Sequence, residues 1–147
     1  MSGLSANCVV DASVGIKLFL PEEYSEEVQK LFEQRLVQPA SEICVPDLFF
    51  IECANVLWKK IRRAEYDAGR AASDLADLKE LRLPSISTSE LMERALQIAC
   101  AHDISTYDAC YVALAELRGV PLVTADDRLA AKLAGTSHEI IALCQAA

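Results

Sequence analysis

A chain of 147 residues has the length of one domain, enough to bury roughly 68–70% of the surface its unfolded form exposes. Apolar residues make up 52% of it, yet charges interrupt them throughout, so no run of about 18 apolar residues is available to span a bilayer. Its 22 acids against 14 bases, a formal charge of −8, argue against broad electrostatic binding to nucleic acid, although acids gathered around a bound cation leave a nucleic-acid substrate open.

The start, MSGLSANCVVDAS, has no basic segment followed by a long apolar core, so no signal peptide is expected and the cytoplasm is the default location. A first strand is expected at Cys8–Val10 and a helix from Ser13 to Leu20, then a second helix over Ser25–Arg35. Ile43–Val45 reads as a strand, Leu48–Arg62 and Glu65–Leu81 as helices, and Ser85–Ser87 as a short strand. Helices follow over Ser89–His102 and Thr106–Arg118, where Gly119 and Pro121 mark a helix stop and a strand start at Leu122–Thr124. Asp127–Leu133 is the last helix and Glu139–Ala142 the last strand. Short strands alternating with helices predict an α/β fold. The expected architecture is a three-layer α/β/α sandwich with a central, mainly parallel sheet of about five strands, as a single domain over residues 1–147. In such sheets ligands bind at the carboxyl ends of the strands.

The cysteines at 8, 44, 53, 100, 110 and 144 include no Cys-x-x-Cys pair and sit mostly in apolar surroundings, so they read as small core residues. His102 and His138 are too far apart in sequence to make a zinc motif.

The acids are more informative. Asp11 follows CVV and precedes a helix, which suits a helix N-cap or a group on the ligand-binding rim, with the Ser13 hydroxyl beside it. Asp126 and Asp127 follow LVT in the same manner, with Thr124 supplying another oxygen; one cap accounts for only one of the pair, and the other suits a first helical turn. Glu52 stands among apolar residues early in its helix, where Asp47 already offers a cap, and Asn55 lies three residues on as a hydrogen-bonding neighbour. A place on an exposed stripe is the plain alternative for Glu52. Asp108 forms a capping-box variant with Ser105, and Tyr107 and Tyr111 read as packing residues. Carboxylates from four separate α/β units, with no histidine or cysteine nearby, suit a hard, oxygen-seeking cation such as Mg²⁺ or Mn²⁺.

The segments VVDASV, PDLFFIECANVLWK, STYDACYVALAE and PLVTADDRLA, in that order, resemble the PIN-domain nucleases, and within them the VapC-type toxins of toxin-antitoxin systems. The resemblance implies an acidic, metal-binding catalytic site at Asp11, Glu52, Asp108 and Asp126, with Asp127 a further acid and Ser13 and Thr124 as polar supports, to which helical spacing adds Asn55 beside Glu52. It implies an endoribonuclease that uses Mg²⁺ or Mn²⁺ to hydrolyse RNA, a cognate antitoxin protein and a homodimer, with no membrane partner. Lys17, Lys59, Lys60, Arg62, Arg63 and Arg128 are candidates for RNA contact, although WKKIRR also reads as a solvated helix end.

Two other readings compete. A phosphatase-like or receiver-like phosphotransfer domain also places acids at strand ends, but the first wants an Asp where Ser13 stands, and the second a Lys after a late strand, absent beyond LVT and EIIAL. A non-catalytic PIN-like interaction module keeps the fold without the chemistry; the acids at every position of the family's site count against it.

Overall fold

In a computed structural model, which describes residues 4, 6–38 and 40–146, five parallel strands form one sheet. The first residues of the segment scanned for a signal peptide lie outside that range. The strands are β1 (Cys8–Val10), β2 (Ile43–Pro46), β3 (Ser85–Ile86), β4 (Leu122–Thr124) and β5 (Ile140–Ala142), in spatial order β3-β2-β1-β4-β5. β1, the central strand, is buried along its length, as a strand covered on both faces must be. It pairs Val9 with Cys44 on one side and with Leu122 on the other.

The connections are helical: α1 (Ala12–Gly15), α2 (Ser25–Val37), α3 (Leu48–Arg62), α4 (Ala68–Glu80), α5 (Met92–His102), α6 (Thr106–Arg118), α7 (Asp127–Leu133) and α8 (Leu143–Ala146). The chain moves outward from β1 to β2 and β3, then returns across the sheet to β4 and β5. Crossovers of one hand therefore place the helices on opposite faces, giving the expected sandwich, and the direction reverses between β1 and β4. Crevices at such a reversal are where open α/β sheets bind ligands.

Several boundaries differ from the sequence expectation for local reasons. The first helix breaks after Gly15 into a 3₁₀ turn at Ile16–Leu18, and Gly15 lies so close to α3 that a Cβ there would stand 2.5 Å from the Phe49 ring. α4 starts three residues later than expected because Ala64 adopts a left-handed turn and Asp67 caps the helix by accepting from the Arg70 amide at 2.8 Å. Thr88–Glu90 forms a 3₁₀ turn ahead of α5, and α8 was not expected at all. Asp47 stands at the N-terminus of α3 but does not cap it; its carboxylate accepts from the Thr88 amide at 3.0 Å, tying the carboxyl ends of β2 and β3 together. Gly119 closes α6 in the left-handed conformation, as its position predicted.

The core is built from both faces of the sheet. Val9, Val10, Ile43, Val45, Leu122 and Val123 meet Phe49, Leu57, Tyr111 and Leu114 from the helices. Cys8, Cys44, Cys53 and Cys110 are buried and free, as expected, whereas Cys100 and Cys144 are exposed because their helices turn them to solvent. Among the described residues, no helix is long and apolar enough to cross a membrane.

Candidate active site

Asp11 leaves the carboxyl end of β1 with extended backbone and caps α1, yet it is only 7% exposed. Both of its oxygens accept hydrogen bonds. Ser13 Oγ donates to one at 2.5 Å and Thr124 Oγ1 to the other at 2.5 Å, with the Val14 amide adding a third bond at 3.2 Å. The proton directions follow from the next layer. The Ala125 amide donates to Ser13 Oγ and the Asp126 amide to Thr124 Oγ1, both at 3.0 Å, so each hydroxyl sends its own proton to Asp11. The β4–α7 loop is thereby tied to the first strand across the point where the sheet reverses.

Burial pushes the Asp11 carboxyl up to about 6, opposed by these hydrogen bonds and reinforced by the charge of Asp108. Glu52, half-buried on α3, accepts a short hydrogen bond from the Tyr111 hydroxyl on α6. Burial raises its pKa, the Tyr111 bond opposes that, and Asp108 adds to it. Asp108, in the first turn of α6, is likewise raised by burial and by the charge of Asp126, against a hydrogen bond from Ser105. Asp108 is thus coupled by charge to Asp11, Glu52 and Asp126 alike.

Asp126 caps α7 through Oδ1, which accepts from the Arg128 amide at 3.0 Å and the Leu129 amide at 3.1 Å. It shares with Asp108, Ser105, Arg128 and Lys132 a cleft of about 260 Å³. Asp127 faces elsewhere, accepting from Cys144 Sγ at 3.2 Å on α8. The adjacent acids therefore split: Asp126 stands beside Asp108 and Asp127 does not.

The supports divide as well. Ser13 and Thr124 contact Asp11, but Asn55 is exposed and makes no bond to Glu52. The reason is that Glu52 looks inward to α6, where Tyr111 satisfies it, while Asn55 turns out to water. Tyr111, only 1% exposed, is both a packing residue and a donor, whereas Tyr107 is 62% exposed and not a packing residue at all. The Tyr111 link joins residues 59 apart. Its one sequence signal is its place three residues after Asp108 on the same helical face.

Among the described residues, no three His, Cys, Asp or Glu side chains already stand close enough together to form an ion's shell. The donor set still fits a hard cation: all its ligating atoms are oxygens, no cationic side chain is among the groups shifting Asp11, Glu52 or Asp108, and Mg²⁺ commonly binds through one or two carboxylates while keeping several waters.

The PIN domain family matches residues 8–134. The chain belongs to the PIN-domain family. Among its relatives, Ribonuclease VapC3 of Pyrobaculum aerophilum is 40% identical over 126 residues, covering 84% of this chain and 92% of that protein. Ribonuclease VapC1 of Mycobacterium tuberculosis is 33% identical over 127 residues, covering 84% and 89%. Among solved structures, PAE2754 from Pyrobaculum aerophilum has the same PIN-like fold, with a TM-score of 0.66 and 26% identity over 96% of this chain and 88% of that one. Membership of the PIN family sets aside the phosphatase-like and receiver-like alternatives.

Proposed function

We propose that this PIN-domain chain is a metal-dependent endoribonuclease, the toxin of a toxin-antitoxin pair acting in the cytoplasm, as a single domain. The observation that carries the reading is Asp11: a buried carboxylate at the carboxyl end of the central strand, held by hydroxyls and an amide, under the like charge of Asp108 and with no cationic side chain among the groups acting on it. Burying a charge in that way is unfavourable unless a cation is to be held there. Relatives named as ribonucleases over nearly their whole length support the RNA substrate.

Asp11, Glu52, Asp108 and Asp126 would hold Mg²⁺ or Mn²⁺. The bound ion supplies a water of lowered pKa and neutralises charge at the scissile phosphate. The chain's own residues prepare that arrangement. Ser13 and Thr124 hold both Asp11 oxygens in place, so its carboxylate cannot swing away. Tyr111, whose phenol burial keeps protonated, acts as a fixed donor that orients Glu52. Asp126, held by two α7 amides through one oxygen, lines the cleft it shares with Asp108 and keeps its other oxygen free of those bonds. Asp127 has no part in this arrangement.

The partner side of the reading rests on the VapC-type motifs and on an exposed apolar groove. Met92, Leu96 and Tyr107, all more than half exposed, line about 520 Å³ beside Leu48, which suits docking of an antitoxin segment or a second copy.

The deciding experiment is RNA cleavage by the purified protein with Mg²⁺ or Mn²⁺, beside Asp11→Asn and Asp108→Asn. Cleavage by the wild type and its loss in both variants is expected. Cleavage unchanged in both variants, or absent for every RNA in a broad panel, overturns the assignment.

A further inference from the structure

Of the six cations that the sequence offers for RNA contact, Lys17, Lys60 and Arg62 have partners elsewhere, while Lys59, Arg63 and Arg128 make no side-chain ion pair among the described residues, and of these three only Arg128 lines the cleft. Lys17 and Lys60 both pair with Glu22, at 3.3 and 3.8 Å, and Lys60 also with Glu65. Arg62 lies over the Trp58 ring at 4.8 Å. Arg128 differs. Its backbone amide is pinned to Asp126, and the residue lines the cleft that holds Asp108 and Asp126. Yet its exposed guanidinium makes no hydrogen bond or ion pair with any described residue.

Lys132 lies four residues on, on the same face of α7, and lines the same cleft. Its Nζ donates to the Asp103 carbonyl at 2.6 Å and lies 3.8 Å from the Asp103 carboxylate, fixing the α5–α6 turn against α7. The cleft therefore gathers the acids Asp108 and Asp126 and, along α7, the bases Arg128 and Lys132, and its arginine stays unpaired. A polyanion laid on the acids needs such a flank, because the phosphates next to the one at the metal would otherwise meet only negative charge. A guanidinium presents a planar fork suited to two phosphate oxygens.

We infer that the α7 flank of this cleft is a phosphate subsite, in which Arg128 grips the RNA backbone phosphate neighbouring the scissile one and Lys132 holds the wall in place. The inference rests on the ribonuclease reading and adds to it where the strand runs: out of the metal pocket along α7.

The test is binding of a short fluorescein-labelled single-stranded RNA to the Asp11→Asn protein in Mg²⁺, followed by anisotropy across a salt series from about 50 to about 200 mM. Adding Arg128→Gln is expected to weaken binding roughly 5- to 10-fold and to flatten the slope of log affinity against log salt by about 0.7, one single-strand phosphate contact. Arg128→Lys should recover most of the slope but only part of the affinity, since it keeps the charge and loses the fork. Arg82→Gln, an equal charge change ahead of β3 at the opposite edge of the sheet, is the control and should alter neither. Unchanged affinity and slope in Arg128→Gln, or an equal loss in Arg82→Gln, overturns the subsite while leaving the nuclease reading intact. No binding of any RNA by the Asp11→Asn parent overturns both.

Discussion

The two edges of this sheet treat their carboxylates in opposite ways. At the amino edge, Glu42 ahead of β2 pairs with Arg118 at 3.2 Å, and Glu116 near the end of α6 takes two bonds of 2.7 Å from the Arg94 guanidinium, which holds its carboxyl below the usual range. At the carboxyl edge, Asp11, Glu52 and Asp108 are all pushed up by burial and answered only by hydroxyls and an amide. Acids of the first kind add modestly to stability; those of the second kind subtract from it. Acids of the second kind are the ones that the proposed metal site would use.

That contrast is broken most directly by neutralising one acid at each edge. Asp108→Asn is expected to lower Mn²⁺-supported RNA cleavage by roughly 100-fold or more, whereas Glu116→Gln leaves the rate unchanged, as read in a gel-based cleavage assay. Equal rates in the two variants would erase the distinction between the edges.

Stability against pH sharpens it next. The folded state holds a proton on Asp11 up to about pH 6, the unfolded chain only to about 4, so between these values the native state binds more protons and stability falls as pH rises. A difference of about two pKa units corresponds to a loss on the order of 3 kcal/mol above that window. Urea unfolding in EDTA should show wild type losing stability from pH 4 to 6.5 and Asp11→Asn losing distinctly less. Added Mn²⁺ should restore the wild type at pH 7 by binding the folded form alone. Parallel pH curves for the two proteins would remove Asp11 as the source.

Smaller again is Tyr111→Phe, which deletes one hydroxyl from a buried ring. The expected result is a roughly tenfold fall in Mn²⁺ affinity, measured by calorimetry without RNA, with a circular dichroism spectrum matching that of the wild type. Unaltered Mn²⁺ affinity would reduce Tyr111 to packing alone. The smallest effect belongs to Asp127→Asn, within about twofold of wild-type cleavage because that side chain faces Cys144, while Asp126→Asn falls with Asp108→Asn. A larger loss in Asp127→Asn than in Asp126→Asn would exchange their roles.

Much of this was legible in the chain because strands and helices announce themselves locally. β1, α3, α6, β4 and α7 fall on the residues that periodicity and turn chemistry predicted, and the strand ends carry Asp11 and Asp126 to the same edge. What escaped was tertiary. Helical spacing pairs Glu52 with Asn55, but the bond that forms crosses to Tyr111, and no pattern within either helix reports their facing. Asp47 could be recognised as a capping residue, yet the cap competes with a Thr88 amide 41 residues away, and the amide wins. The two exposed cysteines follow the same rule: apolar neighbours in sequence do not fix which face of a helix meets the sheet.

The hydroxyl bond from Thr124 to Asp11 spans 113 residues and has a consequence for synthesis. A nascent chain displays Asp11 more than a hundred residues before the strand carrying Thr124 and the loop carrying Asp126. Until β4 slots in beside β1, Asp11 lacks one of its two hydroxyl clamps and the α7 wall does not exist. Until that strand is made the site is incomplete, and products truncated ahead of β4 should be harmless to the RNA around them.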